Sequence, residues 1–245
     1  MTSALSPLEG VRVVEFSHMV MGPTCGLILA DLGADVVKVE PAPGGDKTRR
    51  LPGSGSGYFG TYNRNKRSIA VNLKSVEGLK FATHLVRESD VLIENFGVGV
   101  LDRLGLGYDA MQEINHSLVY CALKGFLGGP YEQRAALDEV VQMMGGLAYM
   151  TGPEGHPLRA GASVNDVMGG LFGVIAIQAA LWERQRTGKG TFVRAGLFEN
   201  NMFLVAQHMV QYRQTGVPAV PMPERVSAWA VYDVFETADG EKIFV

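Results

Sequence analysis

Three observations predict an α/β fold built on a parallel sheet with helices covering it. Short β-rich runs alternate with segments of helical apolar spacing. Glycines and prolines punctuate the joins. A composition of 47% apolar and 19% charged residues is ample for a buried core in a chain of 245 residues.

The elements follow in order. Val11–Phe16 is β-rich and bounded by Gly10; Thr24–Leu32 carries apolar residues at helical spacing and stops at Gly33; Ala34–Glu40 is a second strand ended by Pro41. Strand, helix and strand within about 30 residues is a βαβ unit, whose ligands gather beyond the carboxyl ends of the strands. The first such end is the run from His18 to Pro23. Arg49–Gly60, rich in Gly and Ser, reads as a surface loop. Ser68–Leu73 is a third strand, Val76–Arg87 a helix, Asp90–Glu94 a fourth strand and Ser117–Leu123 a fifth. A helix is expected over Asp138–Met150, a strand over Thr191–Leu197 and a helix over Phe198–Gln214. Pro218, Pro221 and Pro223 mark a crossing into a second region, with a strand over Ala230–Phe235, a turn at Ala238–Gly240 and a last strand from Glu241 to Val245. This gives a division at 1–216 and 217–245, and a chain expected to stop inside its second domain.

The stretch around which the chain is organised is Arg159-Ala-Gly-Ala-Ser-Val-Asn165-Asp166-Val-Met-Gly169-Gly170, followed by an uncharged run to Trp182. A polar pair before such a run starts a helix, with Asn165 or Asp166 as the cap. Two glycines within a turn each cost about 1 kcal/mol relative to alanine, which asks for a close approach there, such as a ligand pressed against the carboxylate.

Other classes are disfavoured. A net charge of -3, with cations scattered, offers no face for nucleic acid. Cys25 and Cys121 fit neither metal nor redox spacing and read as reduced core residues of a cytoplasmic protein, and five scattered histidines form no metal cluster. Met1–Gly10 has no targeting pattern, and the run Val167–Trp182, 16 residues long, is shorter than the roughly 20 a membrane helix needs. Glu40 sits where a dinucleotide-binding acid would lie, but Met21-Gly22-Pro23 supplies no glycine fingerprint. Neither a phosphate loop nor a nucleophile elbow occurs. Lys66, Arg67, Lys74, Arg103 and Lys124 recur near strand ends, where spaced cations suit a ligand with several phosphates.

Five segments together resemble the family III CoA-transferases, whose relatives include the α-methylacyl-CoA racemases. They are Leu8-Glu-Gly-Val-Arg-Val-Val-Glu-Phe; Gly33-Ala-Asp-Val-Val-Lys-Val-Glu40; Asn65-Lys-Arg-Ser68 with Leu73-Lys74; Glu94-Asn-Phe-Gly97 with Leu101-Asp-Arg103-Leu-Gly105; and Arg186-Thr-Gly-Lys-Gly190. The resemblance implies a Rossmann-like large domain, a smaller α+β domain that begins after 216, and an interlocked homodimer at full length. It puts the catalytic aspartate on Asp166, which takes CoA from an acyl-CoA and passes it to a free carboxylic acid. It puts CoA contacts on Val20, Met21, Val71, Asn72, Leu73, Lys74, Asn95, Phe96, Gly97, Arg103, Ala135, Ala136, Leu137 and Asp138. No resident cofactor, metal or membrane is implied; CoA is substrate.

The sequence departs from the family pattern at three places. Pro41 replaces an arginine that contacts phosphate in the formyl-CoA enzymes. Val20 replaces their first-loop glutamine, which argues against oxalate and for succinyl-CoA with a small dicarboxylate. Leu137 stands where the racemases carry a proton-transferring histidine, so transfer is expected in place of epimerisation. A racemase-like isomerase and a non-catalytic acyl-CoA-binding domain are the alternatives. The 245-residue piece by itself is expected to be inactive.

Overall fold

The computed structural model describes residues 6–225 and 231–245. Its centre is a six-stranded, all-parallel sheet of β1 (Arg12–Phe16), β2 (Asp35–Pro41), β3 (Arg67–Val71), β4 (Val91–Glu94), β5 (Val119–Lys124) and β6 (Phe192–Gly196), in spatial order β3-β2-β1-β4-β5-β6. That is the Rossmann order, and its direction reverses between β1 and β4, so the loops after those two strands flank the crevice where ligands collect.

The core forms on both faces of the sheet. On one, Val13, Val36, Val91, Ile93 and Cys121 pack against α1 (Met21–Asp31) and α8 (Val164–Thr187). On the other, Val14, Phe16, Val39 and Leu92 pack beneath α3 (Val76–Arg87) and α5 (Tyr108–Ile114), with Ala82, Val86 and Met111 buried. Strands buried on both faces need near-continuous apolar runs, which is what the sequence displays. Cys25 and Cys121 are both free and fully buried in the first cluster.

Several boundaries differ from the reading of the sequence, each for a physical reason. The Gly/Ser-rich stretch is not a loop. It forms 3-10 turns at Lys47–Arg50 and Gly53–Gly57 and then α2 (Tyr58–Asn63). Buried Glu40 organises it, accepting from Asp46 N at 2.7 Å, Arg49 Nε and Nη2 at 2.7 Å each, and Ser68 Oγ at 2.5 Å. These donors hold its carboxyl down at about 2 against the cost of burial. The acid where a dinucleotide ribose would bind is therefore already occupied. α1 begins at Met21, with Pro23 tolerated because first-turn N–H groups have no intrahelical partner. α4 (Val100–Arg103) and α5 lie between β4 and β5, where the sequence reading had no element.

The helix expected over Asp138–Met150 is two, α6 (Asp138–Met144) and α7 (Leu147–Thr151), because Gly146 adopts φ +86° between them. Neither Asn165 nor Asp166 caps α8. Both lie inside its first turn after Ser163, and the cap comes from Asp138 of α6. Gly169 and Gly170 do not make room for a ligand. They admit α1: a Cβ at Gly169 would run into the Met21 side chain and one at Gly170 would fall 2.7 Å from Thr24 Cβ.

α8 is longer than the sequence indicated and, by length and apolarity alone, passes for a membrane span. Here it packs against α1, β5, β6 and α9 (Leu197–Thr215), burying Gly169, Gly173, Ile177 and Ala180. α9 ends at Gly216 with φ +70°, and an antiparallel pair, β7 (Val234–Glu236) and β8 (Lys242–Phe244), follows. Ala230, the first residue of the strand expected there, lies outside the described residues.

Candidate active site

The loops after β1 and β4 are joined at the switch point. Asn95 Oδ1 accepts from His18 N at 3.0 Å and Asn95 Nδ2 donates to His18 O at 2.8 Å, while the His18 ring meets Phe96 edge-on at 5.7 Å. The first loop is held from below by a buried ionic cluster. Lys38 Nζ lies 3.2 Å from both Glu15 Oε1 and Asp46 Oδ2 and donates to Ser17 O at 2.8 Å. Lys66 Nζ lies 2.7 Å from Glu15 Oε2 and donates to Pro23 O at 2.8 Å. Two ammonium groups matched to two carboxylates are the arrangement burial tolerates, and they tie Ser17, at the start of the first loop, and Pro23, in the first turn of α1, to the sheet.

Asp166 is among the residues that line a cavity of about 190 Å³, together with His18, Val20, Met21, Asn95, Lys124 and Leu137, among others. Burial, reinforced by the charges of Asp138 and then Glu139 and opposed by Arg159, raises the Asp166 carboxyl to about 7. Such a group changes charge near neutral pH, a property that clusters at functional sites. Asp138 sits beside it. Asp138 Oδ1 accepts the backbone N–H groups of Asn165 and Asp166, and Oδ2 accepts from Gln142.

A second cavity, of about 420 Å³, shares His18, Asn95, Leu123, Lys124, Gly125 and Ala136 with the first, so the two form one crevice. It adds Phe96, Gly97, Arg103, Arg134 and Ala135. Lys124 stands at the junction, 2.5 Å from Glu94 Oε1 and donating to Phe96 O at 2.8 Å. The end of α1 that opens on the crevice carries no side-chain cap.

Of the residues taken from the resemblance, Asp166, Val20, Met21, Asn95, Ala136, Leu137 and Asp138 line the first cavity, and Phe96, Gly97, Arg103 and Ala135 the second. Val71, Asn72, Leu73 and Lys74 line neither. Val71 is in the core, Leu73 packs against the same core cluster as Phe96, and Asn72 Oδ1 accepts from Lys74 N at the turn into α3. Tyr58, Ser163, Glu139, Lys124 and His18 line the first cavity and were not among the candidates. Lys124 carried a signal, as a cation at the end of a strand; Tyr58 was hidden in the stretch read as loop.

The crevice at the switch point thus has Asp166 in one part of its lining and Arg103 and Arg134 in the other. The family model for CoA-transferase family III covers residues 8–245. The chain belongs to CoA-transferase family III. Within it, the chain is 38% identical to the succinate–glutarate CoA-transferase of Agrobacterium fabrum over 96% of its own length and 62% of that protein's. It is 47% identical to the formyl-CoA:oxalate CoA-transferase of Streptomyces coelicolor over 78% of its length and 47% of that protein's. A solved CAIB/BAIF family protein from Brucella suis superposes with a TM-score of 0.89 at 40% identity, covering 97% of this chain and 65% of that one. The chain thus spans about half to two thirds of the length of these relatives.

Proposed function

We propose that the protein transfers CoA from an acyl-CoA to a free carboxylic acid, with Asp166 as the covalent carrier. The observation that supports this most is the position of Asp166 in the lining of a crevice that continues past Lys124 to Arg103 and Arg134. Phosphates suit the basic end, and the thioester then lies toward Asp166.

In the proposed cycle an Asp166 oxygen attacks the thioester carbonyl carbon; the carbon–sulfur bond breaks and leaves an acyl-aspartyl anhydride and CoA thiolate. The thiolate attacks the aspartyl carbonyl, forming an aspartyl-CoA thioester and releasing the donor acid. The acceptor carboxylate attacks that thioester, giving a second anhydride and thiolate. Attack of the thiolate on the acceptor acyl carbon yields the new acyl-CoA and regenerates the aspartate. A carboxylate is a weak nucleophile, so holding it against the thioester carries much of the rate. The uncapped N-terminus of α1 at the crevice offers N–H groups for the developing oxyanion. Leu137 has no titratable proton, so the acid–base pair of a racemase is lacking at this position.

The test uses the protein at its full native length, a labelled acyl-CoA and a panel of free acids. Transfer of CoA to an acid, and a loss of at least about a thousandfold in Asp166→Asn, are expected. Exchange of the α-deuterium of a 2-methylacyl-CoA without any acid would support the isomerase instead. Binding of CoA with no transfer would support a binding domain. We also infer an interlocked homodimer, supported by the bare outer stripe of α8, where Leu171, Ile175 and Trp182 are 43%, 59% and 75% exposed; sedimentation at full length tests it.

A further inference from the structure

We propose that a third cavity, which adjoins the Asp166 cavity at Tyr58 and Ser163, holds the non-reacting carboxylate of a dicarboxylic acid, and that this makes the enzyme selective for diacids. The inference rests on the CoA-transferase reading above and adds the class of acid exchanged and the residues that select it.

The cavity has a volume of about 570 Å³ and lies between α2, the 3-10 turn before it, and the segment from Arg159 to Ser163. It shares Tyr58 and Ser163 with the Asp166 cavity, so one small molecule can have an end in each. Its lining holds one cation, Arg159, and no carboxylate. Around that cation are the hydroxyl-bearing residues Ser54, Tyr58, Thr61, Tyr62 and Ser163. Cβ positions at Gly57 and Gly161 meet nothing within 4 Å, which leaves the walls open on both sides.

Arg159 has donors to spare. Its Nη1 donates to Glu139 Oε1 at 2.6 Å, and Nη2 stands 4.0 Å from Asp138 Oδ2, an ion-pair distance too long for a hydrogen bond. Among the described residues it makes no other hydrogen bond, so most of its five N–H groups are unassigned. Tyr62 adds a phenol that burial, and then the neighbouring charges, keep protonated and therefore able to donate.

A guanidinium edge with hydroxyl donors beside it matches a carboxylate, which accepts at both oxygens. A neutral alkyl tail would leave those donors unpaired, the situation in which a polar site discriminates most strongly. Since the second half of the cycle retraces the first, donor acyl group and acceptor occupy this space in turn. Both are then expected to carry a distal carboxylate.

The experiment measures kcat/KM at full native length for glutarate and for pentanoate, acids of equal chain length with and without the second carboxylate. The unaltered enzyme is expected to favour glutarate by about tenfold to a hundredfold, the worth of one charge-assisted contact. Arg159→Gln should bring the ratio to within about twofold of one, with Arg159→Lys intermediate and Tyr62→Phe lowering it less. The ratio is the readout because Arg159 also acts on Asp166, an effect common to both acids. The same preparations, given acyl-CoA without acceptor, are scored for the aspartyl-CoA thioester. Thioester formation with no preference for glutarate, or with a preference that survives Arg159→Gln undiminished, overturns this inference and leaves the CoA-transferase reading standing. Absence of the thioester removes that reading and this one with it.

Discussion

Asp138 Oδ1 accepts the backbone N–H groups of Asn165 at 2.8 Å and Asp166 at 3.1 Å, so the helix that carries the candidate nucleophile is capped by a residue from another helix. The Asp166 side chain is thereby left out of capping. The same carboxylate, through its charge, helps raise Asp166 to about 7.

Replacing Asp138 with Asn keeps an acceptor for both N–H groups and removes the charge. The acid limb of the pH profile of kcat/KM is expected to move to lower pH. Asp138→Ala removes the cap as well and is expected to cost about 1 kcal/mol of stability. Rate profiles and urea denaturation measure the two effects, and an unmoved acid limb in Asp138→Asn would count against the electrostatic coupling.

In the folded protein Asp166 titrates at about 7, whereas an unfolded aspartate titrates near 4. Between those values the folded state binds more protons, so this residue subtracts stability as pH rises from about 4 to about 7. Asp166→Asn removes the penalty. It should match the parent near pH 4 and exceed it at pH 8, by at most about 4 kcal/mol and less in proportion to water access. Denaturation curves for both proteins across that range decide it; a parent that gains stability relative to Asp166→Asn would reverse the sign.

Gly170→Ala puts a methyl carbon 2.7 Å from Thr24 Cβ and 2.9 Å from Met21 O. Backbone is among the atoms that must give way, so the contact of α1 with α8 is expected to open at a cost of about 1–3 kcal/mol. Because Val20 and Met21 line the crevice, the KM for acyl-CoA should rise as well. A variant with unchanged melting temperature and KM would show that this contact is slack.

Lys38→Met leaves Asp46 without its ion-pair partner and Glu15 with only Lys66. Breaking a buried pair from one side is expected to cost about 3–5 kcal/mol. The midpoint of guanidinium unfolding reads the loss directly, and a change within error would mean that water reaches the cluster.

How much of this could be read in advance depended on how local the cause was. Strands β1, β2, β4 and β5 were legible because burial on both faces demands apolar runs with glycine at the joins. Asp166 stood out because a carboxylate before a long uncharged run is a local pattern. Its cap was not legible, since Asp138 and Asp166 are 28 positions apart and only the fold brings them together. Gly169 and Gly170 were rightly singled out for close approach and wrongly given to a ligand, because sequence does not say which neighbour approaches. Tyr58 was lost among the glycines and serines of a stretch that Glu40 folds through contacts with Asp46, Arg49 and Ser68.

The most direct test is chemical. The protein at full native length is incubated with acyl-CoA in the absence of acceptor, quenched with hydroxylamine, digested and read by mass spectrometry. A hydroxamate on the side chain of Asp166, absent when acyl-CoA is omitted, is the expected result. Turnover with Asp166 unmodified, or a hydroxamate on any other carboxylate, would contradict the role given to this residue.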